Sequence, residues 1–152
     1  MTIHFVYAFE PDNKIIQAPY SITRNLYKFL SGIADVQCHH WDSKEVPVIA
    51  PDDILLGCPR YDRDTVVQQI FRRNIQCAAR CLIKPFYHLR VDDNFPFDFI
   101  VKQANAFFAI CGPYWYDTID DSPFRRWKDK MVRLDMAVDK NHFPFLRQEA
   151  GP

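Results

Sequence analysis

The sequence predicts an α/β protein: a doubly wound, mostly parallel, Rossmann-like sheet of about six strands in one three-layer domain. Three observations carry this. Strand-like and helix-like segments alternate along the chain. The strand-like segments are near-continuous apolar runs rather than in/out alternations, the pattern of parallel strands covered on both faces. The 152 residues suffice for one domain with a proper core, and the composition, 48% hydrophobic and 15% aromatic, is that of a folded chain.

The first strand is TIHFVYAF (2–9), almost all β-branched or aromatic. After the loop EPDNKIIQA comes a helix, PYSITRNLYKFLSG. Pro19 suits its first turn, Ser21 offers a cap, and Gly32 a stop. Ile22, Leu26, Phe29, Leu30 and Ile33 keep the spacing of one buried face. ADVQCHHW (34–41) is the second strand, and DILLG (53–57) the third after a polar loop with Pro47 and Pro51. The next helix runs through TVVQQIFRRN, with Val66, Val67, Ile70 and Phe71 inward. A strand at RCLIK (80–84) leads to an aromatic and acidic loop. Pro96 opens a helix with Ile100, Val101 and Ala104, and AFFAIC (106–111) is the fifth strand. One or two short helices broken at Pro123 precede the last strand, MVRLDM.

Charge excludes one class of function. Lys+Arg and Asp+Glu number 19 each, whereas a nucleic-acid binder working by bulk charge is strongly basic. The apolar runs are strand-sized, with no stretch long enough for a membrane-spanning helix, and MTIHFVYAF reads as a strand rather than a signal peptide. The expected location is the cytoplasm. FRRWKDK (124–130) is the segment suited to peripheral contact with the inner face of a membrane, although Asp120, Asp121 and Asp129 nearby favour a solvated face. Five cysteines, four of them in or beside apolar runs, read as reduced buried thiols. Cys77 and Cys81 lack the paired C-x2-C spacing of structural zinc, so no metal is expected.

In doubly wound sheets ligands bind beyond the carboxyl ends of the strands. That rule selects the loops 10–18, 58–64, 85–96 and 112–121. Glu10, Arg60, Tyr87, Asp92 and Tyr114 combine rings that stack on sugar C–H faces with charged groups that bind hydroxyls. His88, near Asp92 and Asp93, is the candidate catalytic base for an acceptor hydroxyl. The four glycines (32, 57, 112 and 151) form neither a G-x-G-x-x-G nor a P-loop, so no nucleotide cofactor is expected in this chain.

The order of motifs resembles the N-terminal lobe of glycosyltransferases with two Rossmann-like lobes (the GT-B architecture). APYSITRNLYKFL resembles that lobe's first helix and DILLG its third-strand segment. QANAFFAICGPYWYDTI resembles the following strand and turn. KMVRLDMAVDKNHFPF resembles the segment that closes the lobe, with Val138, Asp139, Phe143 and Pro144 matching best. The sequence departs from that pattern at the turn after the first strand, at Gly112 and at Ala137. The resemblance implies an acceptor lobe over 1–137, the start of an interlobe hinge over 138–152, and a C-terminal donor lobe outside this chain. It implies a sugar or glycan acceptor here, and a nucleotide sugar as donor in the full enzyme. The alternative is a stand-alone flavodoxin-like binding module without catalysis.

Overall fold

The computed structural model describes residues 1–10, 17–60, 63–83, 98–110, 119–121 and 123–134. They form one sheet of six parallel strands with helices on both faces. In chain order the elements are β1 (Thr2–Tyr7), α1 (Ala18–Leu30), β2 (Asp35–His40), β3 (Ile54–Gly57), α2 (Val66–Arg72), β4 (Ala79–Ile83), α3 (Asp98–Gln103) and β5 (Ala106–Ile110). Two 3-10 segments, Ile119–Asp121 and Pro123–Lys130, then lead to β6 (Met131–Leu134). The predicted fold class and every predicted element are present, with strand ends differing by one or two residues.

The strand order is β2-β1-β3-β4-β5-β6. The chain steps outward from β1 to β2, then crosses back to build the rest of the sheet on the other side of β1. The order therefore reverses between β1 and β3.

One row of side chains organises the better-covered face. Val6, Gly57, Leu82, Phe107 and Met131 are paired in succession across five strands. All but glycine present buried apolar side chains, and they pack with Val66, Val67, Ile70 and Phe71 of α2, Ile100 and Val101 of α3, and Ile119 and Trp127 of the 3-10 segments. Gly57 permits the closest approach in this layer. A Cβ built there would lie 2.7 Å from Val67 Cγ2 and 3.3 Å from Val67 Cγ1. The helix thus rests directly on backbone.

On the other face, α1 lays Ile22 and Leu26 over the cluster of Phe5, Tyr7, Cys58 and Ile83. The predicted inward stripe on α1 is only partly correct. Phe29 is 61% exposed and Ile33 82%. α1 runs back from the carboxyl end of β1 to the amino end of β2, and its buried contacts with the sheet are made by Ile22 and Leu26. Ile33 lies beyond the helix end altogether. Ser21 is not the cap either: the helix begins after Gln17, and the Ser21 N–H donates to the Gln17 carbonyl at 3.1 Å. Pro19 does occupy the first turn.

Two cations fasten the ends of the short helices. Arg80, only 9% exposed, donates to Gln103 Oε1 at 3.0 Å, Asn74 Oδ1 at 3.2 Å and the Ile75 carbonyl at 2.6 Å, with its guanidinium over Phe71. Lys130 Nζ donates to the carbonyls of Val101, Lys102 and Ala104 at 3.0–3.1 Å, neutralising the negative end of α3.

Gly57→Ala should lower unfolding free energy by about 1–3 kcal/mol, the usual cost of overpacking, in a urea melt. Adding Val67→Ala to that variant should return part of the loss, because the contacting methyls are then gone. Equal stability of Gly57→Ala and wild type would show that α2 does not rest on the strand.

Candidate functional site

The carboxyl ends of β1, β2 and β3 come together where the strand order reverses, the position at which α/β sheets offer a crevice. β1 ends at Tyr7 and continues to Glu10; β2 ends at His40, followed by Trp41; β3 ends at Gly57, followed by Cys58, Pro59 and Arg60. Glu10 and Arg60, predicted as ligand-binding residues, therefore emerge from adjacent strands at one edge. Tyr87, His88, Asp92 and Tyr114 lie outside the described residues.

Trp41 holds this edge together, and the sequence reading did not single it out. Its N–H donates to the Tyr7 carbonyl at 2.9 Å, extending the β1–β2 ladder, and its carbonyl accepts the Val66 N–H at 3.0 Å. One residue thus ties the end of β1 to the start of α2. Its indole meets the Tyr7 ring edge-on, with centroids 5.0 Å apart and planes at 85°. The Arg60 guanidinium lies over the indole at 4.4 Å, a cation–π distance. Tyr20 of α1 reaches His40 with ring centroids 6.4 Å apart, and His40 reaches Trp41 at the same separation. Signal for Trp41 was available: it follows an apolar strand at a carboxyl end, as the selected loops do.

Electrostatics follow from burial. Tyr7 is buried, and desolvation pushes its phenol well above the ordinary tyrosine range, with Cys58 beside it acting in the same direction and Arg60 opposing. Tyr7 therefore stays a neutral hydroxyl at working pH, able to donate or accept. Cys38 is pushed up to about 11 by burial, and Cys81 is raised for the same reason first and by Cys77 second. These thiols are protonated and none of the four described cysteines is in a disulfide.

The loop carrying Arg60 is fixed from below by Gln68, which is 2% exposed. Its Nε2 donates to the carbonyls of Arg60 and Arg63, the latter at 3.1 Å, and its Oε1 accepts the Thr65 N–H at 3.1 Å and the Thr65 hydroxyl. Arg63 reaches Asp42 at 3.4 Å, joining the loops after β2 and β3. That exposed pair adds little stability.

Among the described residues no three His, Cys, Asp or Glu side chains converge to hold a metal ion, and no helix is long and apolar enough to cross a membrane. In 124–130, Arg125 and Arg126 are exposed, Trp127 is buried in the core and Lys128 pairs with Asp120, as a solvated helix face requires. Compared with known proteins, the chain matches no family model and no curated protein.

The edge brings together an indole, a guanidinium and a carboxylate, group types that stack on apolar faces or form directional hydrogen bonds to hydroxyls. Gln68→Leu keeps the volume but leaves the Arg60 and Arg63 carbonyls without their donor. It should cost about 1–3 kcal/mol of stability by denaturant unfolding. It should also shift the amide resonances of Cys58 and Arg60 more than those of β5 in an NMR spectrum. Uniform small shifts would show that Gln68 does not position this loop.

Proposed function

We propose that this chain is the acceptor-binding lobe of a two-lobed glycosyltransferase, with a sugar hydroxyl compound held at the carboxyl ends of β1, β2 and β3. The observation that carries the reading is Trp41. Its ring stands at the strand-order reversal, braced edge-on by Tyr7 and flanked by Arg60. Aromatic faces with nearby hydrogen-bonding charges are what a polyhydroxylated ring needs. A second support is the use made of glycine. Gly57 ends β3 at this edge, but its bare backbone accommodates Val67 rather than an approaching phosphate. The nucleotide part of a donor would then be bound elsewhere. The resemblance of the sequence segments to that lobe agrees with both points. Acceptor activation by His88 belongs to the same proposal.

The strand order favours one other reading. β2-β1-β3-β4-β5 is the flavodoxin-like order, extended here by β6, and such sheets bind a flavin phosphate at the β1/β3 reversal. A stand-alone binding module is therefore the alternative.

One titration separates the two. The 152-residue chain is titrated with neutral mono- and disaccharides, and separately with a nucleoside diphosphate and with FMN, following backbone amide resonances and Trp fluorescence. The expected result is saturable shifts at residues 7–10, 40–42, 58 and 60 with a saccharide alone, weakened about tenfold or more in Trp41→Leu, a loss of 1.4 kcal/mol or above. Shifts at these residues with FMN or the diphosphate, and none with any saccharide, would overturn the acceptor-lobe reading.

A further inference from the structure

Three titratable side chains form a chain that the carboxyl-edge site does not use, running from the amino end of β3 across β1 to the carboxyl half of β2. His4 of β1 is 2% exposed. Its Nε2 lies 3.2 Å from Asp53 Oδ2, and its Nδ1 lies 3.1 Å from His39 Nε2 on β2. The two imidazoles are stacked, with centroids 5.3 Å apart and planes 14° from parallel. Asp53 also accepts the Thr2 N–H at 2.6 Å and the Ala50 N–H at 2.9 Å. These donors hold its carboxyl down at about 2.

Proton positions then follow by elimination. Asp53 is an anion, so it only accepts, and His4 Nε2 carries a hydrogen. In neutral His4, Nδ1 is therefore bare and accepts from His39 Nε2–H. That leaves His39 Nδ1 as the outward, unprotonated atom. One added proton is accommodated there, with every inner contact intact. A second would have to reside on His4 Nδ1, facing the His39 Nε2–H. Two donors would then oppose each other at 3.1 Å, and two stacked cations would share one carboxylate.

We propose that Asp53–His4–His39 is an acid-sensitive latch that holds the edge strand β2 to the sheet, accepting one proton and opening with the second. β2 is an edge strand paired, among the described residues, with β1 alone. His39 is the last residue but one of that strand, next to His40 and two before Trp41, so release of its ring loosens the strand end that presents the Trp41 face.

Other charged groups face this cluster. On β2, Asp35 accepts the Thr2 hydroxyl at 2.9 Å. Arg80 stands in the same cross-strand row as His4, two strands away, but its guanidinium is committed to Asn74, Ile75 and Gln103. The Met1 ammonium lies 3.4 Å from Asp52, and Lys44 and Glu45 of the 41–53 loop are exposed. None of these supplies a second carboxylate to the imidazole pair. Burial first and the neighbouring His4 second lower the affinity of His39 for a proton in the fold. A histidine lowered in this way contributes stability that is complete above its unfolded pKa of about 6.5 and is lost as pH falls below it. The Asp53 contribution is lost in a separate, lower window, from about 4 down to about 2.

The test is amide hydrogen exchange at pH 7.5 and pH 5.0, corrected for intrinsic rates, on wild type and His39→Gln. Glutamine donates its N–H to the bare His4 Nδ1 and, by turning its amide, accepts from that atom once it carries a proton, so it removes the second titrating ring and the donor–donor opposition together. Wild type should lose about tenfold or more of the protection at residues 35–40 on going to pH 5.0, while β3 and β4 stay protected; His39→Gln should keep its protection within about twofold. Equal protection of β2 at both pH values in wild type would overturn the latch, as would an equal loss in His39→Gln. Imidazole 15N shifts of wild type give a second, variant-free measurement. Both rings fully protonated at a pH where β2 remains protected would also overturn it.

Discussion

Everything at the carboxyl edge depends on the close approach of α2 to the bare backbone of Gly57. With no Cβ on that residue, Val67 settles against the strand, and the row from Val6 to Met131 closes over it. The depth of α2 then sets two further positions. Its first amide reaches the Trp41 carbonyl, and Gln68, two residues along, reaches the carbonyls of Arg60 and Arg63. A helix raised by the width of a methyl group would lose both ties. A packing constraint in the core is thus transmitted to the two loops that carry the indole and the guanidinium.

The two edges of the sheet have divided labour. The amino edge buries charge and satisfies it fully: Asp53 takes two backbone N–H groups and His4, and Arg80 takes two side chains and a carbonyl. Buried polar groups are tolerable only when so partnered, and among the described residues no buried side-chain polar atom lacks a partner. The carboxyl edge presents rings instead, with Arg60 over the face of one of them. All the carboxyl ends of a parallel sheet point the same way, so the loops that leave them gather at one edge. The faces differ too. Leu55, Leu82 and Phe107 are buried under α2 and α3, while Leu56, Cys81 and Phe108 on the α1 face are only partly covered by described residues.

The sequence by itself determined the elements and their class. Apolar runs such as FVYA and ILLG are long enough for a strand and too short for much else. VVQQIFR carries its apolar residues at helical spacing, and Pro123 separates the two 3-10 segments it was expected to separate. Local chemistry suffices for these. It also set Glu10 and Arg60 just beyond the carboxyl ends of their strands, because that placement needs only the strand ends. Tertiary structure decided what depends on distance across the chain. The strand order is one such matter: nothing local says that β3 returns to the far side of β1. Trp41 gains its place only because Tyr7, 34 positions earlier by residue number, and Arg60, 19 later, are brought to it. His4 and His39 read as ordinary strand residues until parallel pairing, which sets His4 opposite Gln37 and His39 opposite Val6, lets the two rings meet diagonally on one face. Phe29 shows the converse: its period is right, yet it stays 61% exposed. Periodicity fixes the direction in which a side chain points, whereas burial depends on what the rest of the chain brings to meet it.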